Sequence, residues 1–357
     1  MTRLKRFQEK LATVAEAALI TSPQNQFYLS AFDYDDGYLL IFPDAAYLLA
    51  DFRYIEAARK SAADGFEVVL ADRGMNNAVA ALLQKHSAHA LLLEEAQVTL
   101  AQRSKLAVAL QGVTFHCGAT EILAQMRLVK QTDEIAAIAA AQELTDAAFS
   151  HILQYIRPGL KETDVALELE FFMRKNGAEG LAFDTIAVSG SASSLPHGVP
   201  RDKELEQGFL TMDFGARLGG YCSDMTRTVV IGQADSEMRR LYETVLTAQK
   251  AALAAAKGGI GCKALDAVAR NIIHGAGYEG CFGHSLGHGV GIDIHEAPRV
   301  APSVSEEAKL LAGHVVTVEP GIYLQGKYGC RIEDMIAILP DGSIHNFTKS
   351  PKELIEL

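Results

Sequence analysis

The chain has 357 residues, 49% of them apolar and 22% charged, with 30 glycines and 10 prolines; this is ordinary globular composition, too long for one compact core and suited to two domains. Its net charge of −11 offers no basic field to neutralise a run of phosphates, which argues against nucleic-acid binding and leaves carboxylates free to bind cations. No stretch reaches the ~20 apolar residues that span a bilayer, no secretory h-region opens the chain, and Cys117, Cys222, Cys262, Cys281 and Cys330 are odd in number and never in C-x-x-C spacing, which predicts reduced thiols in the cytoplasm.

The first third alternates short apolar runs with helical stretches. Leu19 to Thr21, Tyr38 to Phe42, Tyr47 to Leu49, Val68 to Leu70 and Ala90 to Leu93 read as strands, and Tyr54 to Ala63 and Gly74 to Lys85 as helices, the pattern of an α/β layer domain. Thr132, followed by Asp133 and Glu134, reads as the cap of a long helix running through Gln154, which sets a domain boundary near Leu128 to Gln131 and predicts domains 1–128 and 129–357. Thr163 is the expected cap of a second helix that continues through Lys175 and stops at Asn176-Gly177. Beyond it, strands are expected over Phe183 to Val188, Gly208 to Ala216, Tyr221 to Gly232, Val315 to Leu324 and Arg331 to Leu339, with helices over Ser236 to Ala256 and Cys262 to Ala276. Strand groups separated by helices imply an α+β domain built as two similar halves.

Two of these strand groups bring acids together. Asp213 and Asp224 lie symmetrically about Leu218-Gly219, so a hairpin turning there makes them directly opposed neighbours, with Cβ atoms on the order of 5 Å apart. Glu319 and Glu333 lie symmetrically about Gly326 and form a second facing pair. Apolar Phe209, Met212, Phe214 and Val229 argue that the first sheet is buried, where an uncompensated pair of carboxylates costs several kcal/mol; a divalent cation removes that cost. Between the hairpins, His284, His288 and His295 stand among glycines that permit close backbone approach. Four oxygen donors with one imidazole suit Mn²⁺, Co²⁺ or Zn²⁺, and carry charge enough for two such ions. Arg331, two residues from Glu333 on the same face, offers a local ion pair as the alternative.

Other motifs fail on context. Gly321 to Lys327 matches the start of a phosphate loop, but Tyr328 stands where Ser or Thr must meet Mg²⁺. His295-Glu296 lacks the second histidine of a zincin helix, and Pro298 forbids that helix. Gly287-x-Gly-x-Gly lacks the strand before and the helix after that a dinucleotide fingerprint requires.

Asp213, Asp224, His288 in Gly-His-Gly-Val-Gly, Glu319 in Val-Glu-Pro-Gly-Ile-Tyr and Glu333 in Arg-Ile-Glu-Asp resemble the five ligands of the dinuclear pita-bread metallopeptidases. Leu19 to Ser30 and Asp51-Phe-Arg-Tyr54 resemble the N-terminal α/β domain of the creatinase and proline-peptidase branch. The resemblance implies a pita-bread catalytic domain, with Asp213 and Asp224 on one metal, His288 and Glu319 on the other, and Asp224 and Glu333 bridging. It further implies that His197, His284 and His295 line the cleft and stabilise an oxyanion, that Glu319 moves a proton, that Arg299 grips a dipeptide carboxylate, and that Arg331 orients the ligands. Cys222 and Cys330 read as core thiols. The implied activity is hydrolysis of the bond before proline in Xaa-Pro dipeptides or short Xaa-Pro peptides by a cytoplasmic homodimer that binds neither nucleic acid nor membrane. Creatinase-like C–N hydrolysis of a small amidine, or a catalytically silent binding module, are the alternatives; retention of all five ligands weighs against the latter.

Overall fold

The computed structural model describes residues 1–357, which divide into two compact units, Met1–Arg127 and Leu128–Leu357. The first unit is one six-stranded sheet of β1 (Ala17–Ile20), β2 (Gly37–Ile41), β3 (Ala46–Ala50), β4 (Glu67–Leu70), β5 (Ala90–Leu93) and β6 (Thr114–Cys117) in the order β4-β3-β2-β1-β5-β6. The β1–β2–β3 meander is antiparallel and the outer pairs are parallel. Leu19, Leu40, Leu49, Leu91 and Leu93 meet Val79, Leu83 and Leu106 of the covering helices in its core. The helices Arg3–Leu11, Pro23–Ser30, Leu100–Ala109 and Ala119–Leu128 and the strand β6 are not among the expected elements, although the first carries a clear apolar stripe in buried Leu4, Phe7 and Leu11.

The second unit repeats one plan twice. In the first half the helices Thr132–Tyr155 and Glu162–Lys175 precede β7 (Gly180–Leu181), β8 (Ile186–Ser189), β9 (Gly208–Phe214), β10 (Ala216–Leu218), β11 (Tyr221–Cys222) and β12 (Met225–Ile231). In the second half the helices Ser236–Ala255 and Cys262–Gly275 precede β13 (Gly287–Gly289), β14 (Glu296–Val300), β15 (Val315–Val318), β16 (Gly321–Leu324), β17 (Tyr328–Arg331), β18 (Asp334–Ile338) and β19 (Ile344–Asn346). The repeat extends to the turns between helices. Gly159 and Gly259 both sit at φ +87°, where a side chain is strained. Leu205 N donates to Leu160 O at 2.8 Å in one half, and Leu310 N to Ile260 O at 2.9 Å in the other.

The helix starts differ from the capping expectation. Thr132 is the first helical residue rather than the cap, because the Glu134 carboxylate takes the Gln131 N–H at 2.9 Å. The second helix opens at Glu162, one residue before Thr163, with the Asp164 carboxylate on the Lys161 N–H at 2.8 Å. In each case the acid at the third helical position takes the N–H of the capping residue itself, one side of a capping box.

The first hairpin is also offset. Leu218 pairs with Tyr221 and Asp213 with Thr226, so Asp224 lies diagonal to Asp213 rather than opposite it. Gly219 and Gly220 both have positive φ (59° and 76°), which makes them the two central residues of the turn and moves the register by two. A shift of two preserves the face. In the second hairpin Gly321 pairs with Arg331 and Val318 with Asp334, which puts Glu319 across from Glu333.

Candidate metal centre and substrate cleft

Backbone breaks present the acids. Asp213 is the penultimate residue of β9, and Asp224 lies in the gap between β11 and β12. Glu319 follows β15, and Glu333 lies between β17 and β18. His288 is the middle residue of β13, and its glycine neighbours are obligatory: a Cβ on Gly287 would stand 2.0 Å from Thr317 O, and one on Gly289 2.2 Å from Ala297 O. The sheet therefore closes on both sides of the imidazole.

These side chains share one cavity of about 890 Å³, which is also lined by His197, His284, His295, Arg299 and Arg331. One ligand atom each from Asp224, His288 and Glu333 lie within 4.8 Å of one another. His288 Nε2 is 3.5 Å from Asp224 Oδ2 and 3.6 Å from Glu319 Oε1. Its Nδ1 donates to Gly289 O at 3.0 Å, which fixes the tautomer and turns the Nε2 lone pair toward the carboxylates. Burial, with His295 and Arg299 nearby, pushes the His288 pKa down to about 4, so the ring is neutral at pH 7.

The carboxylates are the reverse case. Burial first, and then one another's charge, raise Asp224 and Glu319 well above the usual range and push Glu333 up to about 8. Thr226 Oγ1 donates to Glu333 Oε2 at 2.7 Å, and this does not offset the crowding. Asp213 is held by Arg331, whose Nη2 meets Oδ2 at 2.5 Å. Arg331 therefore pairs with an acid 118 positions away rather than with Glu333 two residues on. The other oxygen, Asp213 Oδ1, is buried with no hydrogen-bond partner. Crowded acids, an orphaned carboxylate oxygen and an imidazole lone pair aimed among them fit divalent cations.

The cleft histidines differ. His197 and His295 are exposed to the cavity, and the His295 ring stands edge-on to His288 with centroids 4.4 Å apart. Burial and the neighbouring His197 and Arg299 lower the His295 pKa. His284 has both nitrogens engaged: Nδ1 donates to Ser285 O at 2.9 Å, and Nε2 accepts from the Tyr323 hydroxyl at 3.0 Å. That hydroxyl accepts from Arg331 Nη1 at 2.7 Å. Burial, with Arg331 beside it, pushes His284 down to about 3. Cys222 and Cys330 are buried, and desolvation first pushes both thiols up to about 12, which makes them unreactive fillers beside the site.

Sequence reasoning missed Tyr323, whose signal is its cross-strand partner Gly329; a Cβ there would meet the tyrosine ring at 2.7 Å. It also missed a buried ion pair, Lys130 Nζ to Glu296 Oε2 at 2.7 Å. Glu296 Oε1 further accepts from Asp293 N at 3.1 Å, so the pair braces the loop that carries His295.

Residues 136–340 match metallopeptidase family M24, and residues 3–129 match the creatinase/prolidase N-terminal domain. The chain belongs to metallopeptidase family M24. It is 48% identical over 236 residues to an Xaa-Pro dipeptidase of Pyrococcus horikoshii, covering 66% of each chain. Among solved structures it superposes on an Xaa-Pro dipeptidase from Bacillus anthracis with a TM-score of 0.94 at 39% identity, covering 99% of both chains. An X-Pro aminopeptidase from Thermotoga maritima follows at 0.91 and 37%, covering 98% of this chain and 99% of that one. Membership of M24 and the crowded acid cluster together imply divalent metals.

Proposed function

We propose that this chain is a metal-dependent exopeptidase that hydrolyses the peptide bond preceding proline in Xaa-Pro dipeptides or in short peptides with a free N-terminal Xaa-Pro. The observation that carries the reading is the convergence of Asp213, Asp224, His288, Glu319 and Glu333 on one cavity, where desolvation and mutual charge raise the pKa of three crowded carboxylates, an environment that added positive charge would relieve. Similarity to Xaa-Pro dipeptidases and to an X-Pro aminopeptidase supports the substrate class. We assign residues 129–357 as the catalytic domain and 1–128 as its creatinase-like partner, acting in the cytoplasm as a homodimer on short proline-containing peptides.

In this reading Asp213 and Asp224 would hold one divalent ion and His288 and Glu319 a second, with Asp224 and Glu333 serving both; Mn²⁺ is the expected metal, with Co²⁺ and Zn²⁺ as alternatives. When bound, such a pair supplies Lewis acidity and a water acidic enough to attack near neutral pH. Glu319 would accept a proton from the attacking water and pass it to the leaving nitrogen. His197 and His295 donate hydrogen bonds to the oxygen that becomes negative as the carbonyl turns tetrahedral, a contact that strengthens in the transition state. His284 borders the same space and keeps its neutral form. Arg331 fixes Asp213 and, through Tyr323, the face of the cleft. Arg299 meets the free carboxylate of a dipeptide.

The test is proline release from Ala-Pro and alanine release from Ala-Pro-Ala, each with and without Mn²⁺ after chelation, and with creatine as the control. Metal-dependent turnover of either peptide supports the reading, and hydrolysis of creatine alone refutes it. A ratio favouring Ala-Pro marks a dipeptidase.

A further inference from the structure

The loop that carries His197 is tied shut by one buried carboxylate. Glu162 is fully buried and accepts five hydrogen bonds, all from the two ends of the segment 189–201. Ser189 donates its N–H at 2.6 Å and its hydroxyl at 2.8 Å. Arg201 donates its N–H at 2.9 Å, Nε at 2.8 Å and Nη2 at 2.5 Å. The guanidinium fork thus grips the carboxylate with two nitrogens, the strong and directional form of this pair, and Nη2 also reaches Ser189 O at 3.1 Å. Between these ends the loop is pinned again, by Gly329 N on Ser193 Oγ at 3.0 Å and Arg331 Nη1 on Pro196 O at 3.2 Å. Leu195, His197 and Val199 are left projecting outward.

The internal repeat supplies a control. The backbone bond of Glu162 N to Lys203 O at 3.0 Å is matched in the second half by Cys262 N to Ala308 O at 2.8 Å. Position 262 is a buried cysteine with no comparable polar network. The helix–turn–helix plan therefore folds without a carboxylate at this position, and burying one is costly unless its partners repay it. We infer that Glu162 and Arg201 are positioning residues for the reaction: they close the His197 loop so that the imidazole meets the developing oxyanion. The inference rests on the proposed function for the role of His197.

Glu162→Gln keeps the shape and loses the charge. At a temperature where circular dichroism shows the variant folded, kcat on the preferred Xaa-Pro peptide is expected to fall by about tenfold or more with KM within about twofold, since displacement of a catalytic group acts on the transition state. In a His197→Ala background the same substitution is expected to cost less than twofold, because the group it places is gone. Amide hydrogen exchange of the metal-free protein reports the loop directly: residues 190–200 lose protection while the helices do not. Arg201→Gln, at a partly exposed position, gives the same three readouts should Glu162→Gln fail to fold. Unchanged kcat, losses that multiply with His197→Ala, or unchanged protection of residues 190–200 each overturn the inference. A wild-type protein without Xaa-Pro turnover overturns the proposed function instead, and the exchange measurement still decides whether Glu162 closes the loop.

Discussion

Replacing Glu333 by glutamine is expected to stabilise the metal-free protein while weakening its hold on cations. Glu333 is 1% exposed, and in the absence of metal its pKa rises from 4.5 to about 8, first through burial and then through Asp213. In the unfolded chain the same group titrates near its ordinary value of about 4.3. Between these values the folded state holds a proton that the unfolded state has released, so stability falls as pH rises through that window and the loss levels off above it. At about 1.4 kcal/mol per pKa unit, the loss approaches roughly 5 kcal/mol at pH 8 and vanishes near pH 4. Glutamine does not titrate and retains an oxygen for the Thr226 hydroxyl. Urea denaturation of chelated protein should therefore show Glu333→Gln more stable than wild type by about 2–5 kcal/mol at pH 8 and equal to it at pH 4. Added Mn²⁺ should reverse the order at pH 8, because mass action stabilises the chain that binds it better. A variant no more stable than wild type at pH 8, or equally favoured at both pH values, would refute the argument that uncompensated charge governs this site.

Asp224→Asn removes the carboxylate assigned to both metals and is expected to abolish peptide turnover; substantial kcat in the variant would reject the bridging role. Arg299→Ala should raise KM for Ala-Pro about tenfold to a hundredfold through loss of a charge-assisted contact and leave Ala-Pro-Ala within about threefold; equal effects on both peptides would contradict the assignment. Lys130→Met removes the buried cation 2.7 Å from Glu296 and should cost about 3–5 kcal/mol by urea denaturation. Most of that loss should return in the double variant Lys130→Met/Glu296→Leu, and an undiminished loss there would argue that the charge pair itself is not what Glu296 requires.

How legible the site was varied with the local constraint. In the second hairpin one tight turn at Gly326 governs the whole register, so the facing of Glu319 and Glu333 could be read from spacing alone. In the first, the choice between Leu218-Gly219 and Gly219-Gly220 as the turn moved Asp224 by two positions. The Gly219-Gly220 pair was the available signal, since both residues adopt the positive φ that a two-residue hairpin turn demands. The helix caps were misread, by one position at Gln131 and two at Lys161, because the acids Glu134 and Asp164 cap the N–H groups of those residues while the threonine pattern points inside the helix. The destination of Arg331 could not be read at all, because a flexible guanidinium reaches whichever acid the folded sheets bring to it.

By itself the amino-acid order determined the alternation of elements, the two-part division of the second unit and the identity of the acids and histidines, since these follow from periodicity, turn chemistry and residue type acting over a few positions. Only the tertiary structure decided that Arg331 neutralises Asp213, that Tyr323 links Arg331 to His284, and that Glu162 and Glu296 brace the two histidine loops. Apart from Tyr323 and Arg331, eight positions apart, those contacts join residues 27 to 166 positions apart, and the low dielectric that makes them strong exists only once the core around them has closed.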